Sequence, residues 1–362
     1  MQDIILERYK ISPFLVFYLI LSMQIGIGIL GFQRTLSIHS SQDAWISVLI
    51  AGLSLHVYLW MIYKIAETVN GDIVTAHIYV AGNLIGKLIS SLFIVYFFIN
   101  MLTVLRSYIE IIQVWMFPDL STFWFSFAIL LLSIYVINGG FRTVVGISFF
   151  GFILPSYLFL IFGYNLKFSN FNHLLPIWEH SLKDILLGSY HMSLTIIGFE
   201  TVLFFYPFIK DPQKSKKWAH FALLSTTFIY TGLMVLTIAY FSDEQLHKSI
   251  WATLTMWKIV KMPFMDRFEY IGIATWMLVI LPNICTSIWI ASRMLKRIFH
   301  IQQKKGIYFI TIVTLIVINF FQTHDKVAKL QEYTAKTGFV CIFIYIPLLF
   351  ISVMIAKRVK KR

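Results

Sequence analysis

The chain has 362 residues, of which 58% are hydrophobic and only 13% charged, and it carries a formal net charge of +13. A soluble globular chain has about 25% charged residues, so this composition leaves too little polar surface to cover a water-soluble fold. The basic excess lies in short connecting segments and in the run Lys357-Arg358-Val359-Lys360-Lys361-Arg362. That placement points to membrane orientation and contact with anionic lipid, and no nucleic-acid partner is expected.

Apolar runs of membrane length predict ten helices, at 12–33, 44–66, 84–116, 122–137, 144–164, 185–207, 217–241, 269–297, 306–321 and 336–356. The alternating ten-residue strands of an outer-membrane barrel are missing. The first run is too long for a signal-peptide core and is followed by no small-residue cleavage site, so it reads as the first helix of the mature chain. The N-terminus, every second connection and the C-terminus together hold about twice as many Lys and Arg as the other connections. The positive-inside rule then places both termini in the cytoplasm. Trp45, Trp115, Trp124, Trp178 and Trp218 fall near helix ends, where an interfacial belt belongs.

Helix 1 contains Gly26-Ile27-Gly28-Ile29-Leu30-Gly31 in mid-span. The string matches a dinucleotide fingerprint, but that motif needs a preceding strand in a soluble βαβ unit. Each glycine costs roughly 1 kcal/mol of helix stability relative to alanine. The string therefore serves either close helix packing or a break that frees backbone N–H and C=O groups toward a polar cavity. In helix 3, Arg106 and Glu110 lie four residues apart on one face and are expected to pair; the alternative is that Arg106 meets a substrate carboxylate or gates an outer vestibule. Asn100 and Thr103 lie nearer mid-span and could hydrogen-bond a ligand or a neighbouring helix.

Residues 165–184 and 242–268 form the two long connections. The second carries an amphipathic stretch around Trp251 and Trp257, read equally as an interfacial helix on the membrane or as a lid over an outer vestibule. Helix 6 reads Ile196-Ile197-Gly198-Phe199-Glu200-Thr201, with a glycine beside an intramembrane carboxylate. A buried carboxylate in a span is a functional-site hypothesis by default. Helices 1 and 6 each open a five-helix half, and paired interruptions in inverted halves mark a transporter-type binding site. In helix 8, Pro282 removes a backbone bond, and Asn283 could either satisfy the freed carbonyl or line the cavity. His56 and His191 read as packing residues, and Cys285 and Cys341 have no metal-ligand spacing. No metal site, no cofactor and no catalytic constellation is expected, so the chain does not read as an enzyme.

The Gly-x-Gly-Ile string of helix 1 and Gly198-Phe199-Glu200 of helix 6 resemble the amino acid–polyamine–organocation permeases. The ten-helix length, the Asn172-His173-Leu174-Leu175-Pro176 string before helix 6 and Arg267-Phe268-Glu269 before helix 8 resemble one branch more narrowly. That branch is the B subunit of endospore germinant receptors, the spore germination permease family. Ile27 stands where the superfamily often has Ser or Thr, which removes a hydroxyl expected in ordinary sodium-coupled transport. The resemblance implies an all-α polytopic fold of about ten helices, a five-plus-five inverted repeat with helices 1 and 6 broken. Residues 1–362 form one transmembrane domain, with the first repeat and its linking loop at 1–183 and the second at 184–362. It also implies a small-molecule germinant, an amino acid, with a receptor A subunit and a C lipoprotein subunit as partners in the spore inner membrane. The expected binding set is Gly26, Ile27, Gly28, Ile29, Gly31, Asn100, Thr103, Gly198, Phe199, Glu200 and Asn283, with Arg106, Glu110 and Pro282 structural or gating. A secondary transporter of amino acids or amines, with Glu200 carrying a proton, is the alternative. A membrane subunit that binds no ligand is the third reading.

Overall fold

The computed structural model describes residues 5–260 and 266–360. Residues 261–265 of the 242–268 connection, and Lys361 and Arg362 of the C-terminal basic run, lie outside them. Seven helical stretches among the described residues are long and apolar enough to cross a bilayer, and three shorter apolar helices accompany them. Together they account for the ten expected spans.

The first span is two pieces, α1 (Leu15–Gln24) and α2 (Phe32–Ser40). The second is α3 (Ala44–Val69), which stops where Asn70 turns left-handed. Asp72 then caps α4 (Ile73–Trp115) by accepting from the Thr75 N–H. Gly82, at φ 78° and ψ 178°, kinks α4 and separates a short leading segment from the crossing helix. The expectation that this helix begins at 84 thus caught the crossing portion only. The fourth span is α5 (Thr122–Asn138), and the fifth is α6 (Phe141–Ile153) and α7 (Tyr157–Asn165), joined through Pro155.

The sixth span is again in pieces: α8 (Leu182–His191), α9 (Ser193–Ile196) and α10 (Val202–Phe205). Then come α11 (Pro212–Tyr240), two short helices α12 (Asp243–Lys248) and α13 (Ala252–Lys258), α14 (Phe268–Phe299) and α15 (Gln303–Val317). The tenth span is α16 (His324–Phe339), a π-helical turn at Val340–Tyr345, and α17 (Ile346–Val359). It starts a dozen residues before the expected 336, because the charged stretch 324–336 is helical.

α14 is the axis of the bundle. It packs against α4, α6 and α15, and its residues are buried almost continuously from Val279 to Leu295. Pro282 does not break it. Gly151 of α6 lies so close to the Leu278 carbonyl that an added Cβ would sit 2.4 Å away, so α6 seals the carbonyl that Pro282 leaves without a helical donor. The outer surface has the opposite character. On α4, Leu84, Leu88 and Leu92 are 85%, 70% and 67% exposed at helical spacing. Such a stripe is a liability in water and is required against hydrocarbon.

The described ends of the chain, with the connections that hold Asn70–Asp72, Gly139–Gly140 and Lys210–Asp211, share one face of the molecule, called here the terminal face. The long connections share the other, the far face. The 165–184 connection is pinned to the far face by Asp43, a fully buried carboxylate accepting from the N–H groups of Trp178, Glu179 and His180 at 2.7, 2.8 and 3.0 Å. α13 is buried among helices, with Ala252, Leu254 and Met256 at 0% exposure. Of the two readings of this stretch, an interfacial helix or a lid, this burial removes the first: α13 is packed among helices.

Candidate functional site

α1 ends at Gln24, and Ile25 leaves the helix at φ −94° and ψ 99°. A single 3-10 turn, Gly28–Leu30, bridges to α2. Carbonyls freed at such a break cost free energy in a membrane unless donors meet them. Four do. Asn283 Nδ2 donates to the Ser22 carbonyl at 2.6 Å and Tyr230 Oη to that of Gln24 at 2.9 Å. Trp276 Nε1 donates to Gly26 at 3.1 Å and Thr253 Oγ1 to Ile29 at 2.8 Å. Asn283 also donates to the Val279 carbonyl at 3.2 Å. It does not serve Leu278, the carbonyl that Pro282 leaves open.

The sixth span breaks beside the first. Ile197 is extended at ψ 146°, and Gly198 takes φ 130°, a conformation other residues rarely adopt. An added Cβ at Gly198 would lie 2.6 Å from Met23 Cβ, so glycine is required there for backbone and space alike. Glu200, 3% exposed, folds back over this turn. Its Oε2 accepts from the Gly198 N–H at 2.7 Å and its Oε1 from Tyr96 Oη at 2.8 Å. Thr201 closes the turn, its N–H and hydroxyl donating to the Gly198 carbonyl at 3.2 and 2.5 Å. Gln24 ties the two breaks together, its Nε2 donating to the Ile196 carbonyl at 3.0 Å.

Between the breaks lies a cavity of about 60 Å³. Gln24, Gly26, Ile27 and Gly28 form one wall, and Thr195, Ile197 and Glu200 face them. α4 supplies Asn100, Thr103 and Ser107, α14 supplies Asn283 and Ser287, and α16 supplies Gln331 and Thr334. Several of these are already engaged: Asn100 donates to the Tyr96 carbonyl at 3.1 Å, Thr103 and Thr334 share a bond of 2.6 Å, and Gln331 donates to Ser107 at 2.9 Å. No lysine or arginine lines the cavity among the described residues.

Of the expected binding residues, Gly26, Ile27, Gly28, Asn100, Thr103, Glu200 and Asn283 meet at this cavity. Gly198 and Phe199 shape the turn behind it, Ile29 is buried in the packing, and Gly31 lines a vestibule beyond it. Gln24, Ser107, Thr195, Ser287, Gln331 and Thr334 were not anticipated. The signal for two of them was present: Asn100, Thr103 and Ser107 form one polar stripe at helical spacing, and Asn283 and Ser287 another. The expected Arg106–Glu110 pair does not form. Arg106 turns to the Phe321 carbonyl, and Glu110 pairs with His324 at 2.8 Å. Both therefore hold the connection between α15 and α16. His56 meets His220 with Nδ1 atoms 2.8 Å apart, and His191 stacks on His39 at 4.4 Å, so each packs with another imidazole.

The two ends of the cavity differ. Toward the far face it shares Ile27, Gly28, Thr195 and Gln331 with a vestibule of about 340 Å³ that reaches Arg34, Trp251 and His324. Residues 243–258 clasp α2 there: Arg34 donates to the His247 carbonyl at 2.6 Å and Gln33 to Thr253 Oγ1 at 2.7 Å. Toward the terminal face the chain is sealed. Ile11 pairs with 208–210 in a two-bond bridge, its N–H to Phe208 O at 2.8 Å and its carbonyl from Lys210 N–H at 2.9 Å. Arg293 lies 4.4 Å over the Phe208 ring, Trp289 stacks on Phe141 at 4.2 Å, and Arg297 pairs with Asp72. A hollow of about 500 Å³ on that face shares no lining residue with the cavity.

A family model described as "Spore germination protein" matches residues 10–327. The spore germination protein GerQB of Bacillus cereus is 42% identical over 351 residues, 97% of each chain. In structure, the chain is similar to a sodium-coupled sialic acid symporter in a substrate-bound outward-open state. The TM-score is 0.65 at 12% identity, covering 97% of this chain and 90% of the symporter. It is also similar to MhsT in complex with L-phenylalanine, with a TM-score of 0.61 at 10% identity over 94% of this chain and 87% of that one.

Proposed function

Since the chain belongs to the spore germination protein family of multi-pass membrane proteins, we propose that it is the nutrient-sensing subunit of a germination receptor, holding a small germinant between its two broken helices. The observation that carries this reading is the cavity itself: polar groups from five spans converge on the space between the two helix breaks. The N–H groups of Gly26, Ile27 and Gly28 stand between the two helical pieces with no partner among the described residues. They suit a carboxylate, which is why an amino acid is the proposed germinant class.

Its termini face the cytoplasm of the spore inner membrane, and its vestibule opens outward. Ligand entering from outside then meets a site sealed from the cytoplasm by the Ile11–Ile209 bridge and the Arg293–Phe208 stack. Binding that differs in affinity between this conformation and one with the seal released shifts the population, and that shift is the signal. An A subunit and a C lipoprotein subunit receive it.

Thermal stabilisation of the purified protein by amino acids tests the site. A flat response to the whole set would leave a membrane subunit without a ligand. Uptake of labelled amino acids into proteoliposomes is expected to be at background; concentrative uptake would make the chain a secondary transporter instead. Labelling of a cysteine placed near Lys214 from outside the cell would overturn the orientation.

A further inference from the structure

We propose that the Gln24 side-chain carbonyl is the group that reads the ligand's amino group, an inference that rests on the cavity being a ligand site. The orientation of the Gln24 amide is set by chemistry. The Ile196 carbonyl can only accept, so the nitrogen of Gln24 must face it, as it does at 3.0 Å. Its oxygen, Oε1, is then committed to the other side. That atom is buried without a hydrogen-bond partner on a side chain only 2% exposed that lines the cavity. A buried carbonyl left unpaired is costly, and one that belongs to a cavity-lining side chain calls for a donor.

The nature of that donor follows from the surrounding charge. Gln24 is the last residue of α1, whose carbonyl end carries partial negative charge. Glu200 bears on the same turn: Gln24 holds the carbonyl of Ile196, and Glu200 holds the N–H of Gly198 two residues on. Both carboxylate oxygens accept from neutral donors, Tyr96 and Gly198, and no basic side chain lines the cavity among the described residues. A wall of acceptors with no basic side chain among the described residues, an unpartnered carbonyl and a helix C-terminus suits an ammonium group. Size adds a bound. A cavity of about 60 Å³ admits only a small ligand.

The test compares Gln24→Met, which keeps the length and removes both polar atoms, with Gln24→Glu, which keeps an acceptor and loses the donor to Ile196. Melting of each purified protein is followed with glycine, L-alanine or L-serine, and with the amine-free counterparts acetate, propionate and lactate. Wild type is expected to be stabilised by at least one of the three amino acids and by none of the amine-free acids. Gln24→Met is expected to need at least about tenfold more of that amino acid, while Gln24→Glu stays within about threefold of wild type. Equal responses from wild type and Gln24→Met overturn the assignment. So does an equal loss in both variants, which would make Gln24 a tether for the Ile196 carbonyl only; melting of the unliganded variants identifies that case. Stabilisation of wild type by sodium chloride alone, lost in Gln24→Met, gives the carbonyl to a metal cation and also overturns it. A wild type that responds to no amino acid fails earlier, at the reading of the cavity as an amino-acid site.

Discussion

In the first span the carbonyls freed by the break are met from outside, by Asn283 and Trp276 of α14, Tyr230 of α11 and Thr253 of α13. In the sixth, the turn is held largely from within: Glu200 accepts from Gly198 two residues earlier, Thr201 returns two bonds to Gly198, and among the described residues Tyr96 is the side chain of another span that donates to Glu200. A break supported by four side chains from three helices spreads the consequence of losing any one donor. A break supported by one carboxylate concentrates it. The first therefore belongs to the packing of the whole bundle, whereas the second hangs on a few residues of its own turn.

The largest effect is expected at Gly198, where both supports meet. Gly198→Val adds a side chain at φ 130° and places its Cβ 2.6 Å from Met23 Cβ. Backbone strain and overpacking together cost at least about 3 kcal/mol. The variant should be scarce in membranes and should abolish nutrient response; wild-type melting would mean that the turn is not held as described. Gly28→Val follows, since its Cβ meets Thr195 Oγ1 at 2.9 Å on the opposite wall. Loss of response at normal abundance is the expected outcome, measured by germination and by membrane protein level together.

Glu200 sharpens the contrast. Glu200→Ala leaves the Tyr96 hydroxyl and the Gly198 N–H buried and unpaired, at about 1–3 kcal/mol each. Glu200→Gln keeps one acceptor and should lose about half as much stability and function. Wild-type germination from both variants at matched protein levels would remove Glu200 from the site. A double-mutant cycle of Tyr96→Phe with Glu200→Gln should show a coupling of about 0.5–3 kcal/mol, because the two side chains share one bond. The smallest effect is expected in the first span. Tyr230→Phe withdraws one donor of four and should lower stability by about 1 kcal/mol with germination largely intact. A loss as large as that of Glu200→Ala would erase the difference between the two breaks.

All ten spans were legible in the sequence because each is a run of apolar residues with few charges. Their ends were less so. Residues 324–336 carry His324, Asp325, Lys326, Lys329, Glu332 and Lys336, which reads as a connection by hydropathy, yet the stretch is the helical start of the tenth span, with Val327 and Leu330 buried. That misreading also concealed Gln331 and Thr334 from the site. The two breaks were legible from Gly26, Gly28, Gly198 and Glu200. Gln24 and Thr195 were not, since a single polar residue near a helix end acquires meaning only from the helix packed opposite. Arg106 and Glu110 show the reverse error. Spacing predicts a local pair, but the carbonyl of Phe321 and the imidazole of His324 offered each a better-placed partner.

The short bridge at Ile11 has a practical consequence. Both its backbone groups are bonded to 208–210, so the opening residues of the chain are fastened to the end of the sixth span and cannot stay still if that end tilts. If that end moves when ligand binds, the N-terminal segment would act as a pointer to it. A fluorophore at Glu7, which is exposed, paired with one at the exposed C-terminal Lys360 beside Tyr79, would convert the motion of a buried half-helix into a distance read at the surface.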